Sequence, residues 1–190
     1  IVHGAESAIW GSDAIAGVIH IMTRSPDSQP STNFLISAGS DQTETIAIDT
    51  ATVLGKTQLA LGLSHFGTEG FNVSRQGDER DGSKQRAAYI RTLTPLSNQW
   101  RLSSVLRLQQ SQTDFDDVDY LVTGLPTDAD FTTAHQNWIG GLRLMSDQDH
   151  VQQSLSINFS QDRNTNRTYP NADTKTDSAK QQFNYQISRT

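Results

Sequence analysis

A run of aspartates in the middle of the chain is the feature best suited to metal chemistry. Carboxylate oxygens at this density suit Ca²⁺, which takes roughly six to eight hard oxygen ligands. The run lacks the glycine and the glutamate of an EF-hand loop, so that motif is excluded. A solvated acidic loop is the alternative interpretation. The predicted calcium ligands are Asp114, Asp116, Asp117 and Asp119, with Asp128 and Asp130 further along the chain.

The other reactive residue types form no catalytic or metal-binding motif. The five histidines are scattered, and no pair has H-x₃-H or HExxH spacing. The sequence contains no G-x-S-x-G, no P-loop and no G-x-G-x-x-G, and it has no cysteine. The charged stretch 75–86 mixes both signs, which indicates a solvated surface, with ligand contact as the alternative. We therefore predict no catalytic residues and no enzyme activity.

After residue 32 the chain shows a repeated period-two alternation of apolar with polar or small residues. Leu102, Leu106 and Leu108, for example, alternate with arginine, serine and glutamine. This alternation is typical of β-strands with one buried face. All five prolines fall in linkers or connections, as strands require. We predict strands near 32–39, 44–54, 56–67, 84–94, 99–113, 136–146, 150–161 and 179–189.

The predicted connections alternate in length, with one exception. Tight turns on one side and long loops on the other, joined by strands of roughly 9–11 residues, are typical of a transmembrane β-barrel. The alternative is a water-soluble antiparallel sandwich, in which strands usually have roughly 5–6 residues. The short connections are 54–56, 95–98 and 147–149, the long ones are 68–83, 114–135 and 162–178, and the exception, 40–42, is short on the long side.

A barrel would assign each side chain to lipid or to the lumen. Leu61 and Leu106 would face lipid and Ser103 the lumen, because their positions alternate. Charge is costly toward lipid, so the lumen would also receive Arg101, Arg107 and Arg143. Aromatic residues near the strand ends would form a girdle, and these are Trp100, Trp138, Tyr89 and Phe66.

The composition agrees with a membrane barrel and argues against other classes. Hydrophobic residues make up 34% of the chain and the mean hydropathy is −0.54. Both values are lower than is usual for a protein with one buried core, but they are expected where only alternate residues face lipid. No apolar run reaches the length of about 18 residues that a transmembrane helix needs. The net charge of −6 argues against nucleic acid as a partner.

The segment before residue 25 combines a turn with a short apolar strand. Gly11, Ser12 and Asp13 predict a tight turn, and residues 18–22 predict a buried strand. The segment resembles the end of the plug domain of TonB-dependent outer-membrane receptors, which typically reads G-x-x-S-x-x-Y-G-S-x-A-I-x-G-V-I-x-I-x-T-[KR]. Trp10 replaces the commoner tyrosine, and Ala5 replaces the usual proline. The matching residues are Gly4, Ser7, Ala8, Gly11, Ser12, Ala14, Ile15, Gly17, Val18, Ile19, Ile21, Thr23 and Arg24.

This resemblance implies a fold and a division into domains. The chain would be an all-β fragment of a 22-stranded antiparallel transmembrane β-barrel, about 22 strands being usual for plugged transporters, preceded by the last segment of its plug domain. Residues 1–24 would end the plug, 25–32 would be a linker, and 33–190 would supply about eight barrel strands. We interpret the chain as an internal fragment whose TonB box lies elsewhere. The plug-motif residues are Gly4, Gly11, Ser12, Asp13 and Gly17.

The resemblance also implies TonB-dependent active transport of a large, scarce nutrient across the bacterial outer membrane. The ligand would be an iron-siderophore, cobalamin or haem, and the partners would be the TonB-ExbB-ExbD complex, outer-membrane lipid and the metal-chelate or cobalamin ligand. The cobalamin-receptor branch fits best, because of the acidic loop and the short first hairpin. That receptor is known to bind calcium through aspartates of its early extracellular loops. The alternative is a passive porin-like channel or a structural, adhesive β-protein, neither of which requires the segment 1–24.

Overall fold

The computed structural model describes residues 2–3, 17–18, 29–74, 77–148, 150–168 and 172–189. Two short strands, β1 (Val2–His3) and β2 (Gly17–Val18), pair antiparallel. Of the predicted plug motif, only Gly17 is therefore among the described residues. The predicted turn at 11–13 and Gly4 lie outside them. Among the described residues, no helix is long and apolar enough to cross a membrane.

Eight further strands form one antiparallel sheet in which every strand pairs with its neighbours in the chain. Their number and order agree with the prediction. The two outermost strands, β3 and β10, each pair on one side only, so the sheet is open. The first of the eight begins inside the predicted linker 25–32. The strands are β3 (Ser31–Ala38), β4 (Glu44–Leu54), β5 (Thr57–Thr68), β6 (Ser83–Pro95), β7 (Trp100–Val118), β8 (Pro126–Gln148), β9 (Val151–Thr168) and β10 (Ala172–Arg189).

The strand register gathers most of the large apolar side chains on one side of the sheet, here called the apolar face. Directly paired residues of an antiparallel ladder point to the same side, and Leu61, Ile90 and Leu106 form one such row. Many of these side chains are exposed, up to 80% for Ile36. Soluble monomers rarely expose a contiguous apolar patch of this extent. Other members are Phe34, Ile46, Ile48, Leu59, Leu63, Leu102, Leu108, Trp138, Leu142, Leu144, Leu155, Ile157, Phe159, Phe183, Tyr185 and Ile187.

The opposite side, here called the polar face, carries arginines, amides and hydroxyls. The hydroxyl of Tyr89 donates a hydrogen bond of 2.9 Å to Asp49 Oδ1 on this face. Gly62 lies beneath that pair, and a Cβ there would meet both the Tyr89 ring and the Asp49 carboxylate. The glycine therefore makes the contact between the two strands beside it possible. As the alternation predicts, the polar face also contains Arg101, Arg107 and Arg143.

Two of the four predicted girdle residues lie on the apolar face. Trp100 begins β7 beside a short turn, whereas Trp138 lies near the other edge of the apolar rows. The Trp138 ring packs edge-on against Phe159, with centroids 5.1 Å apart. The prediction was wrong for Tyr89 and Phe66, which point to the polar face because each is one residue out of step with the apolar positions of its strand.

Two of the predicted long loops are mostly strand, which corrects the predicted alternation of connection lengths. The strands β7 and β8 reduce the predicted loop 114–135 to a turn at 119–125. The strands β9 and β10 likewise take up most of 162–178. Beyond the apolar rows both faces are mostly polar, apart from the cross-strand pair Phe115–Phe131, so the period-two signal ends although the ladder continues. The long connection between β5 and β6, at 69–82, agrees with the predicted loop 68–83.

Candidate metal centre

The outer end of the β7–β8 hairpin, beyond the apolar rows, is irregular. Its register shifts between Phe115 and Asp117, so the three residues 128–130 stand opposite Asp116 alone. The backbone N–H of Ala129 donates to Asp116 Oδ1 at 3.2 Å. A register shift of this kind redirects side chains that strict alternation would keep on separate faces. Here it leaves carboxylates from both strands on the side that meets the loop 69–82.

The loop 69–82 is held against this hairpin by polar contacts. Ser74 Oγ donates to the carbonyl oxygen of Pro126 at 3.5 Å, and Asn72 Nδ2 donates to Asp128 Oδ1 at 3.3 Å. Gly77 has a φ of 88° and packs directly against the Asp128 carboxylate, where a Cβ would collide. The contacts bring acidic residues of the loop next to those of the hairpin.

Three carboxylates converge here and two more lie near enough for their charges to act on Glu79, and we call all five the acidic cluster: Glu79, Asp81, Asp116, Asp128 and Asp130. Oxygens of Glu79, Asp116 and Asp128 lie within 4.8 Å of one another. Within the described part of the chain, the buried atoms Asp81 Oδ1 and Asp116 Oδ2 have no hydrogen-bond partner. A buried acceptor without a partner is costly. The cluster therefore offers oxygen atoms that a cation would satisfy.

The charges of the acidic cluster disturb the titration of Glu79. Partial burial raises the pKa of Glu79 above its ordinary value, and the charges of Asp130, Asp128, Asp81 and Asp116 raise it further. The arginine next in sequence, Arg80, points elsewhere, with its guanidinium 3.7 Å from Glu69 and 4.0 Å from Asp41. A bound divalent cation would reverse this repulsion, because it favours the charged form of every carboxylate around it.

The four predicted calcium ligands are placed differently from one another. Asp116 belongs to the acidic cluster. Asp117 Oδ1 accepts a hydrogen bond of 2.7 Å from the N–H of Val118, and Asp114 Oδ1 accepts one of 3.4 Å from the Thr132 hydroxyl. Neither is among the residues whose oxygens converge.

Asp119 closes the turn between β7 and β8. Its Oδ1 accepts hydrogen bonds from the N–H groups of Leu121 and Val122, both at 3.1 Å. Its Oδ2 accepts from the N–H and the hydroxyl of Thr123, at 3.2 and 3.0 Å. Desolvation raises the pKa of Asp119, but these hydrogen bonds outweigh it and lower the pKa overall. Both oxygens of this side chain are thus engaged in shaping the turn.

Glu79 and Asp81 were not among the predicted calcium ligands, because the mixed charges of their segment indicate a solvated surface. A topological signal could have found them. The loop 69–82 leads into β6, and β6 pairs with β7 in a meander. The loop therefore had to emerge beside the outer end of β7, where the aspartate run begins.

Comparison with known proteins finds partial similarity to two transporters. The chain is 27% identical over 120 residues to the vitamin B12 transporter BtuB of Photobacterium profundum, which covers 62% of this chain and 20% of that protein. It is 31% identical over 84 residues to the vitamin B12 transporter BtuB of Vibrio cholerae serotype O1, which covers 44% of this chain and 14% of that protein. No protein-family profile matches the chain.

These similarities are partial, and the chain spans a fifth or less of the length of either relative. They support the TonB-dependent receptor family as the kind of protein to which the chain is related. Both relatives are transporters, which fits the prediction of a chain without enzyme activity. The eight-stranded antiparallel sheet is consistent with a segment of a barrel wall.

Proposed function

We propose that this chain forms part of a TonB-dependent transporter that imports a large, scarce nutrient across the bacterial outer membrane. The observation that carries the proposal is the apolar face. On β7 it extends from Trp100 to Leu108, about nine residues, which matches the roughly 9–11 residues that a tilted strand needs to cross a bilayer. The polar face on the other side suits a water-filled or plugged lumen.

Cobalamin is the first ligand we propose, with an iron-siderophore or haem as the alternatives. The similarity to two vitamin B12 transporters supports cobalamin. The resemblance of residues 1–24 to a plug supports energised transport, for which TonB-ExbB-ExbD would be the partner. In this proposal residues 1–24 end the plug, 25–30 lead from it, and the eight-stranded sheet, which begins at Ser31, is part of the wall.

The test is uptake by the full-length parent protein in cells with and without TonB. Labelled cobalamin, a ferric siderophore and haem would be supplied in turn. We expect accumulation of cobalamin that disappears without TonB. Accumulation that ignores TonB would instead support the passive porin-like channel, and binding at the cell surface without any uptake would support an adhesive β-protein.

We further propose that the acidic cluster binds Ca²⁺ and thereby holds the loop 69–82 against the β7–β8 hairpin. Glu79, Asp116 and Asp128 would be the principal ligands, with Asp81 and Asp130 nearby. The support is chemical, because hard oxygen donors from separate segments suit Ca²⁺. This set differs from the ligands predicted from sequence, of which it retains only Asp116.

The calcium proposal can be tested by titrating Ca²⁺ into the full-length protein. Glu79→Gln and Asp116→Asn should each weaken binding by roughly tenfold to a hundredfold, because a charge-assisted contact contributes about 1.5–3 kcal/mol. Asp117→Asn is the matched control, since it changes a neighbouring carboxylate outside the cluster. Equal effects of Asp116→Asn and Asp117→Asn would contradict the ligand set, and ligand affinity that is indifferent to a chelator would contradict a role in uptake.

A further inference from the structure

A trough of about 760 Å³ lies on the apolar face. It opens over Ala88, whose small side chain is paired with Leu63 on one side and Leu108 on the other. Ile48 and Trp138 continue the same row outward and form its farther walls. A methyl group between larger apolar side chains leaves a depression with an apolar floor.

One rim of this trough is polar and basic. The next row of the sheet holds His65, Arg86, Gln110 and Gln136, all of which line the trough. Arg86 is exposed and takes part in none of the ion pairs found among the described residues. His65 contacts Glu44 Oε1 at 3.1 Å, so that carboxylate is engaged with the histidine. The guanidinium is thus the cation offered at the mouth of the trough.

The basic rim lies on a defined side of the sheet. Proceeding along β6 from Ala88 to Arg86 leads toward the loop 69–82, and away from the tight turn at 96–99. In outer-membrane barrels the tight turns are periplasmic and the long loops extracellular. Trp138 lies in the row of Ala88, next to this rim, and donates from its indole N–H to Gln161 Oε1 at 2.8 Å, as amphipathic rings do at a membrane interface.

We propose that the trough binds an acyl chain of the phosphorylated glycolipid of the outer leaflet, with a lipid phosphate on Arg86. This inference rests on the proposed function, which places the apolar face against lipid. The planar guanidinium matches phosphate geometry and can donate two parallel hydrogen bonds. The amides of Gln110 and Gln136 are suited to the sugar hydroxyls. An acyl chain covers the apolar floor, and a soluble anion could not.

The experiment is a titration of the purified full-length protein with lipid A, followed by native mass spectrometry. Arg86→Gln should reduce lipid A binding about fivefold, the factor that corresponds to roughly 1 kcal/mol for one basic residue near a lipid surface. Ala88→Leu fills the trough and should reduce binding by a similar factor. The controls are Arg107→Gln, which removes an arginine charge on the polar face, and Ser103→Leu, which adds a leucine there at a residue that does not line the trough.

Loss of binding in both trough variants, with both controls unchanged, supports the proposal. Equal lipid A binding by Arg86→Gln and the parent protein would overturn it, and so would equal losses in the control variants. If phosphatidylglycerol binds as tightly and with the same dependence on Arg86, the assignment to the outer-leaflet glycolipid is overturned. Cobalamin uptake by cells that express the same variants tests the proposed function separately. If uptake depends on TonB while Arg86→Gln leaves lipid A binding unchanged, this inference is refuted and the proposed function is not.

Discussion

The two ends of the β7–β8 hairpin are built on different principles. Toward the tight turns, most large apolar side chains lie on one face, and Leu106 and Arg107 point to opposite faces. Toward the outer tip the register shifts, three residues oppose one, and Asp116 meets a loop that is distant in the chain. The first end is a regular wall, whereas the second brings chemical groups together.

The structure of the wall is determined by local sequence, whereas the structure of the tip is determined by contacts with segments that are distant in the chain. A strand with one apolar face fixes its own register, because a slip of one residue would move every side chain to the wrong face. The outer part of the hairpin has mostly polar residues on both faces and lacks a continuous apolar row. Contacts of the loop 69–82 and the hydrogen bonds of Asp119 shape it instead. Substitutions should therefore have face-dependent effects in the wall and local effects at the tip.

The largest effect should come from charge on the apolar face. Leu61→Arg and Leu106→Arg in the full-length protein should each cost about 2–4 kcal/mol near the bilayer midplane and should block assembly. Ser103→Arg on the polar face should be tolerated. The measurement is the folded fraction in lipid vesicles as a function of urea. Equal losses on the two faces would break the distinction between them.

A smaller effect is expected where the polar face is tightly packed. Gly62→Ala places a Cβ against the Tyr89 ring and the Asp49 carboxylate, and overpacking of this kind costs about 1–3 kcal/mol in the free energy of unfolding. Gly67→Ala in the same strand is the control, because its nearest contact would be an ordinary 3.6 Å. Indistinguishable urea midpoints for the two variants would show that the wall tolerates this overlap.

A weaker, pH-dependent effect should come from the acidic cluster without calcium. The pKa of Glu79 is raised, so the stability linked to its protonation is present at low pH and is lost as the pH rises through the raised value. Solvent screening should keep this change below about 1 kcal/mol. Glu79→Gln should flatten the pH dependence of the melting temperature in chelator, and added Ca²⁺ should reverse its direction. A parent profile identical to that of Glu79→Gln would contradict this account.

The smallest effect should be confined to the hairpin tip. Asp119→Ala removes the acceptor of four hydrogen bonds, so amide exchange at 121–123 should accelerate while the melting temperature stays unchanged. Because the pKa of Asp119 is lowered, acid should have the same local effect only as the pH falls through that lowered value. Faster exchange throughout β7 would mean that the tip and the wall are coupled.

The sequence predicted the wall better than the tip for a physical reason. Leu59, Leu61 and Leu63 alternate with polar or small residues, and that period alone indicates a strand and its faces. All eight strands of the sheet were found in this way. Past Leu108 the strand continues through glutamine, serine and aspartate, which carry no period. The ends of β7, β8, β9 and β10 were therefore misplaced, although their centres were not.

The acidic cluster could be predicted only in part. The density of aspartates pointed to the correct stretch of chain, but local density does not reveal which side chains turn inward. The carboxylate of Asp119 accepts hydrogen bonds within its own turn, and the register shift at Asp116 redirects that side chain. Glu79 comes from another connection altogether. The convergence of Glu79 with the hairpin aspartates depends on strand order and on loop packing, and neither can be read from composition.

Trp100 and Trp138 lie at opposite edges of the apolar rows, so their indole rings would report two depths in the bilayer. Trp100 begins β7, and Trp138 is paired with Leu108, so eight residues of strand, or about 26 Å, separate their heights along the strands. With a strand tilt of roughly 40° this becomes about 20 Å of depth, close to the apolar thickness of an outer-membrane barrel. Fluorescence quenching by lipids brominated at different carbons would then read both boundaries of the hydrocarbon layer from native residues, without an added label.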